Sequence, residues 1–410
     1  MINRYRGICE SCQQQFVFRA VVPLATTDSL RFCCPGCSIE LSSGLTLDYS
    51  IPRMDLTPHG FMLDNEHASV DEPVVTVATD LPVHKTLHTN ILTEGGSPFL
   101  LLLKKMGPSF KDWRAKVDTL QMLRQNQFPH VKQIVDYARA ANWGMVRKCL
   151  ETMFEEDAPK DDISTIFKCY RVMGVLYAPL ISMPEMVEFL DEYYVFLNDC
   201  FNNKKSKYKA LLEEWSNLPL YRGLRTKALS TFLRVLSHFD AFIVGLMYNE
   251  MPNTLKAQID DYRVFRDDYS VVKAVYQDLF ELTSQLLIFL GAVINLSARG
   301  APWQYVTGVN SLNAFKKKPA FERFKILSEL PKLSGLVGGA SRPMRNSIGH
   351  FSADYQPCTG QLQYDDGTSM NYIVFLGELF AAVKSLCFIM IVIEKTDIDM
   401  TRLGVEMHKA

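Results

Sequence analysis

The stretch Arg345-Asn346-Ser347-Ile348-Gly349-His350 puts a permanent cation, an amide and an imidazole within six consecutive residues. Each residue of an α-helix advances about 100°, so Asn346 and His350, four apart, fall on one face with Arg345 beside them. An arginine fork can hold a phosphate through parallel hydrogen bonds. Histidine, whose unperturbed pKa lies nearest neutrality, can take a proton from an attacking hydroxyl or give one to a leaving oxygen. Together these residues are the equipment of a phosphate-handling site. Similar Arg-to-His spacings occur at Arg53/His59, Arg124/His130 and Arg402/His408, but none has Asn directly after the Arg. In the first two a proline precedes the histidine and breaks a helical reading.

A second chemical pattern lies at the start of the chain. Five of the ten cysteines fall in the first 37 residues, and Cys9-Glu-Ser-Cys12 and Cys34-Pro-Gly-Cys37 form two knuckles. This is close to the spacing by which four thiolates hold one tetrahedral zinc ion. Such a site is closed, so the zinc is expected to be structural, with a redox dithiol as the other reading of a C-x-x-C pair. Cys33 is a spare that could replace Cys34 in a looser site. Phe16-Val17-Phe18 and Leu30-Arg31-Phe32 read as short strands that could pair in a zinc ribbon, and Arg4, Arg6, Arg19 and Arg31 give that module positive charge.

The motif at 345–350, with Phe351 after it, resembles the Arg-polar-x-x-x-His signature of HEPN domains, all-helical modules found in many antiviral and toxin-antitoxin ribonucleases and in RNA-targeting CRISPR effectors. The resemblance covers roughly 265–397. It implies RNA cleavage without a catalytic metal, with Arg345 on the scissile phosphate, His350 as acid and base, and Asn346 orienting one of them. Two such motifs usually meet across a dimer. A chain with one credible copy is therefore expected to be a homodimer with a shared active site, held in check by a regulatory or antitoxin partner.

The elements around these sites set the expected architecture: mainly α, with a zinc-ribbon-like module at 1–45, an irregular or β-containing connector at 46–108, a helical array at 109–260 and a HEPN-like helical domain at 261–410. In the connector, Val74–Ala78 and Phe99–Leu103 read as strands between prolines, and His84-x3-His88 is a weak metal spacing. Helical periodicity dominates from Ser109 onwards, with segments at His130–Ala141, Trp143–Phe154, Ile163–Tyr177, Met183–Phe201 and Leu224–Tyr248. Phe189, Tyr193, Tyr194, Phe196 and Phe201 follow that period as core rather than as base-stacking residues. Tyr269–Leu296 and Met370–Glu394 read as long apolar helices, with a hairpin near 355–367 before the second.

The basic runs are Lys204-Lys205-x-Lys207-x-Lys209 and Lys316-Lys317-Lys318, the latter being the patch best placed to meet an RNA backbone. A net charge of -1 excludes a uniformly basic protein that coats nucleic acid. No secretory signal is apparent, and the charges within the two long apolar segments favour buried helices over bilayer spans, so a cytoplasmic, reducing setting is expected. In that setting the ten cysteines are not expected to be a disulfide framework, and Cys149, Cys169, Cys200, Cys358 and Cys387 read as small buried hydrophobes. A rival class is a non-catalytic zinc-containing scaffold, or a nucleic-acid- or nucleotide-binding protein, that dimerises through the HEPN-like domain. A third reading, a DNA-binding regulator built on the ribbon, lacks a basic reading helix.

Overall fold

The computed structural model describes residues 2–22, 27–48, 50, 53–64, 72–85, 96–140, 142–154, 159–181, 183–217, 219–266, 268–305, 308–330, 333, 336 and 353–405. Fourteen helices and four small sheets make the described chain mainly α, about 62% helical. It divides into two compact units, each assembled from three stretches: Met1–Ala115, His238–Ala274 and Asn346–Phe380 in one, Lys116–Ser237, Val275–Arg345 and Ala381–Ala410 in the other.

The first unit begins with β1 (Ile2–Cys9), β2 (Gln15–Val21), β3 (Thr27–Cys33), β4 (Glu40–Asp48), β5 (Arg53–His59), β6 (Phe61–Asp64), β7 (Val74–Val77) and β8 (Val83–His84). One sheet has the order β6-β1-β2-β7 and another the order β3-β4-β5. β2, apolar in nearly every position, is buried on both faces between antiparallel β1 and parallel β7. β4 alternates instead, turning Leu41, Ser43, Leu45 and Leu47 inward. Phe16–Phe18 and Leu30–Phe32 are strands as expected but do not pair with each other: β2 pairs with β1 and β7, and β3 with β4. Their side chains meet in one aromatic cluster, with Phe16, Phe18, Phe32 and Phe61 packing in tilted and edge-on pairs at centroid distances of 5.2 to 6.1 Å. Period-2 patterning marks a strand but leaves open which neighbour it bonds.

The segment 99–103, expected as a strand, lies in helix α1 (Pro98–Met106). Ser97 accepts from the Leu100 N–H and Pro98 occupies the first turn, so the N-cap chemistry overrides the run of apolar residues. α2 (Pro108–Asn126) follows, then α3 (Phe128–Arg139), α4 (Trp143–Phe154), α5 (Asp162–Tyr177), α6 (Met183–Asn203), α7 (Lys205–Ser216) and α8 (Pro219–Ser237). α5 starts with a capping box, Asp161 accepting from the Ser164 N–H at 2.7 Å while the Ser164 hydroxyl accepts from the Asp161 N–H. The long helix expected over 224–248 breaks at a 3-10 turn, Phe239–Phe242, before α9 (Ile243–Glu250).

α10 (Asn253–Lys256) leads to β9 (Tyr262–Arg263), which pairs with β8. Next come α11 (Tyr269–Arg299), α12 (Leu312–Lys316) and α13 (Ala320–Leu327); Pro319 separates the last two. The antiparallel sheet β10 (Ala353–Gln356), β11 (Gln361–Tyr364) and β12 (Ser369–Asn371) precedes the final helix, α14 (Tyr372–Arg402). α11 and α14 are each 31 residues and, by length and composition, apolar enough to cross a bilayer. Of their most apolar windows, 89% and 67% are buried inside the protein. The aromatic run of α6 is core, as its period implies: Phe189 packs on Phe388 at 4.7 Å and the buried Tyr193 hydroxyl donates to the Leu290 carbonyl.

Candidate metal centre and the flanks of the Arg-Asn-His motif

Cys9 ends β1 and Cys34 follows β3, so each strand delivers one cysteine into a tight turn that carries the second. The two turns have the same backbone design. The Cys9 N–H donates to the Gln14 carbonyl and the Gln13 N–H returns to Cys9, while the Cys34 N–H donates to Ile39 and the Ser38 N–H returns to Cys34. Gln13 and Ser38, at matching places, both have φ of 61°. The leading cysteine of each turn is buried and the trailing one exposed.

All four sulfurs lie within 4.8 Å of one another. Cys9 and Cys37 Sγ are 3.9 Å apart, and Cys12 and Cys34 Sγ 3.6 Å. A tetrahedron with metal–sulfur bonds of about 2.3 Å has edges of roughly 3.8 Å, so the cluster fits one ion. Burial pushes the Cys9 thiol up, but the N–H groups of Cys12 and Ser11 and the neighbouring cysteines outweigh it and bring the thiol down to about 7. Cys34 is raised, first by burial. Gly36 permits the turns to nest: a Cβ there would lie 2.9 Å from Cβ of Gln14.

The spare cysteine has a different role from either one expected. Cys33 forms a disulfide with Cys358, 325 residues away, across a Cα separation of 5.2 Å. This corrects the reading of Cys358 as a small buried hydrophobe and of Cys33 as a spare thiol. Nothing in the local spacing of either cysteine encodes a partner so remote in the chain.

The positive charge expected on the cysteine-bearing module is largely spent internally. Arg19 is fully buried with its guanidinium donating to the Gly96 carbonyl, Arg6 pairs with Asp64 and Glu72, and Arg31 pairs with Glu40. Of the four arginines Arg4 is exposed. The lysine run of α7 is also structural in part: Lys204 and Lys207 donate to the carbonyls of Ser297 and Gly300, at the C-terminal end of α11. In the Lys316-Lys317-Lys318 run, Lys316 is half-buried and its pKa lowered by that burial, Lys318 pairs with Glu322 at 3.0 Å, and Lys317 is exposed. His84 packs edge-on against Tyr262 at 5.0 Å; His88 lies outside the described residues.

Arg345, Asn346 and His350 also lie outside the described residues. Their C-terminal flank is held firmly. The Tyr269 hydroxyl, at the start of α11, donates to the Ala353 carbonyl at 3.0 Å, and the Tyr355 hydroxyl donates to Val264 at 2.8 Å. Tyr269, Tyr355 and Tyr372 form an aromatic cluster at centroid distances of 4.5 to 6.1 Å, fixing the root of the β10–β12 sheet. Comparison with protein-family models, with curated proteins and with solved structures gives no match to this chain.

Proposed function

We propose that this protein is a HEPN-type endoribonuclease whose cysteine cluster holds a structural zinc ion. The observation that carries the reading is the order of elements around the motif: the long apolar α11, the Arg345-to-His350 stretch, the sheet starting at Ala353, then the long apolar α14. The tether from Tyr269 to Ala353, three residues past His350, gives the catalytic segment a fixed anchor close by.

In this reading the ribose 2′-hydroxyl attacks the adjacent phosphorus, forming a 2′,3′-cyclic phosphate and expelling the 5′-oxygen. His350 takes the proton from the nucleophile or supplies one to the leaving oxygen. Arg345 neutralises the charge that grows on the phosphate, and Asn346 orients one of the two. The His350 of a second copy separates acid from base, which makes the homodimer the active form. Lys317 contributes to the RNA backbone contact, with Lys316 and Lys318 beside it. Cys9, Cys12, Cys34 and Cys37 fill the coordination sphere of zinc, leaving the ion to join two turns rather than to act on substrate. The protein works in the cytoplasm, restrained by a regulatory partner, in antiviral defence or a stress response.

The test is incubation of the purified protein with labelled single-stranded RNA and transfer RNA in EDTA, beside His350→Ala, with analysis of product ends. Circular dichroism in parallel guards against unfolding by loss of zinc. Cleavage to cyclic-phosphate ends, reduced by about 10²-fold or more in the variant, is the expected result. A folded dimer that binds RNA but leaves it intact favours the non-catalytic scaffold.

A further inference from the structure

In the second unit α3, α4, α5, α8 and the C-terminal part of α14 surround a cavity of about 1030 Å³. Its wall is mostly aliphatic, with Ile134, Ile166, Met173, Leu229 and Met390 among the lining side chains. That is the size and character of a site for a lipophilic small molecule.

Two charged side chains line the wall, Arg225 and Glu394, and they differ in their partners. Arg225 and Asp397 are mutually engaged at 2.7 Å, Asp397 also accepts from the Tyr170 hydroxyl, and Arg225 lies over the Tyr170 ring at 5.7 Å. These groups satisfy one another. Glu394, one turn before Asp397 on the same helix, also lines the cavity but makes no hydrogen bond or ion pair among the described residues. Glu394 is half-buried, and a carboxyl on an apolar wall loses part of its hydration, which a ligand that brings a partner makes up.

The charge count selects the ligand's head. Of the two charged residues that line the cavity, Arg225 is already paired with Asp397, so the group left for a ligand's head is the Glu394 carboxyl, whose ionised form pairs with a cationic head and repels an anionic one. Tyr170, Tyr177 and Trp143 line the same cavity and favour a cation over a neutral polar group. We propose that the cavity binds a lipophilic amine, its hydrocarbon body along the α3, α5 and α8 walls and its ammonium against the Glu394 carboxylate. Burial and the nearby Asp397 charge push Glu394 up to about 8, against the pull of Arg225, so near neutral pH the carboxyl without a ligand is mainly protonated. An arriving ammonium reverses that trend by pairing with the ionised form.

The experiment is calorimetric titration of the full chain with dodecylamine, below its micellar concentration, with dodecanol and laurate as controls of the same length. The amine is expected to bind about tenfold or more tighter than either control. Glu394→Gln, which keeps the shape and the neutral form of the side chain, should erase that preference while leaving dodecanol binding unchanged. Ile134→Trp, which fills the cavity, should weaken all binding, with melting curves confirming that both variants fold. Equal or tighter binding of dodecanol or laurate, amine binding indifferent to Glu394→Gln, or no binding of the amine by the folded protein would each overturn the proposal.

Discussion

Gly36 lies against Gln14 so closely that a Cβ at Gly36 would come within 2.9 Å of the Gln14 Cβ and 3.0 Å of its Cγ. The two cysteine turns therefore nest through the one position in the second knuckle that has no side chain. Gly36→Ala should push the turns apart, costing about 1 to 3 kcal/mol. Metal content by mass spectrometry should be one ion per chain in the wild type. A competition titration with a chelating dye should show weaker retention in the variant.

Arg266 is buried between Asp28, at 3.1 Å, and Asp268. Burial raises the Asp28 pKa and the Arg266 charge opposes it, so the guanidinium is what allows two carboxylates to stay in the interior. Arg266→Met should cost about 3 to 5 kcal/mol in denaturant unfolding, because it strands both. Adding Asp28→Asn to that variant should recover part of the loss. A loss that the second substitution does not relieve would show that packing, rather than charge, sets the role of Arg266.

Glu394 makes stability fall as pH rises. Its folded pKa of about 8 lies above the ordinary 4.5, so between those values the unfolded chain gives up a proton that the folded chain keeps. Among the described residues, Arg225 from α8, Asp397 from α14, and Cys169, Tyr170, Tyr177 and Tyr194 from α5 and α6 are titratable groups around it. Glu394→Gln should remove a slope of at most about 1.4 kcal/mol per pH unit over that window, read from urea unfolding at a series of pH values. Below 4.5 and above 8 the two proteins should run parallel.

The disulfide is checked by counting thiols. In denaturant with a chelator and no reductant, eight of the ten cysteines should react with a thiol reagent, and all ten after reduction. Cys358→Ser should lower stability by about 2 to 4 kcal/mol. It should leave the metal content unchanged, since Cys34 and not Cys33 belongs to the cluster. Ten reactive thiols before reduction would mean that the pair is not joined in solution.

Several features were legible in the chain because they are local. The two C-x-x-C turns announce themselves by spacing, and the sulfurs do converge. The period of Trp143–Phe154 and Tyr269–Leu296 defines α4 and most of α11, since an apolar stripe every three or four residues has one good way to be buried. The Ser97-Pro98 pair also marks a helix start, and in the fold it prevails over the strand-like run of leucines that follows. A weaker signal for the cavity was Glu394, an acid directly after the apolar run 387–393 of the last long helix.

What the sequence by itself determined is therefore the mainly helical class, the cysteine cluster and the positions of most helices, all set by contacts within a few residues or by a repeating pattern. Only the tertiary structure decided that β2 bonds to β1 and β7 while packing its phenylalanines on Phe32, that Cys33 meets Cys358, that Arg6 and Arg31 are paired and Arg19 is buried, and that Glu394 faces a cavity beside Arg225 and Asp397. Those outcomes depend on which distant segments come together. Burial and hydrogen-bond satisfaction choose among the possible partners over the whole chain at once, and no short window of residues contains that choice.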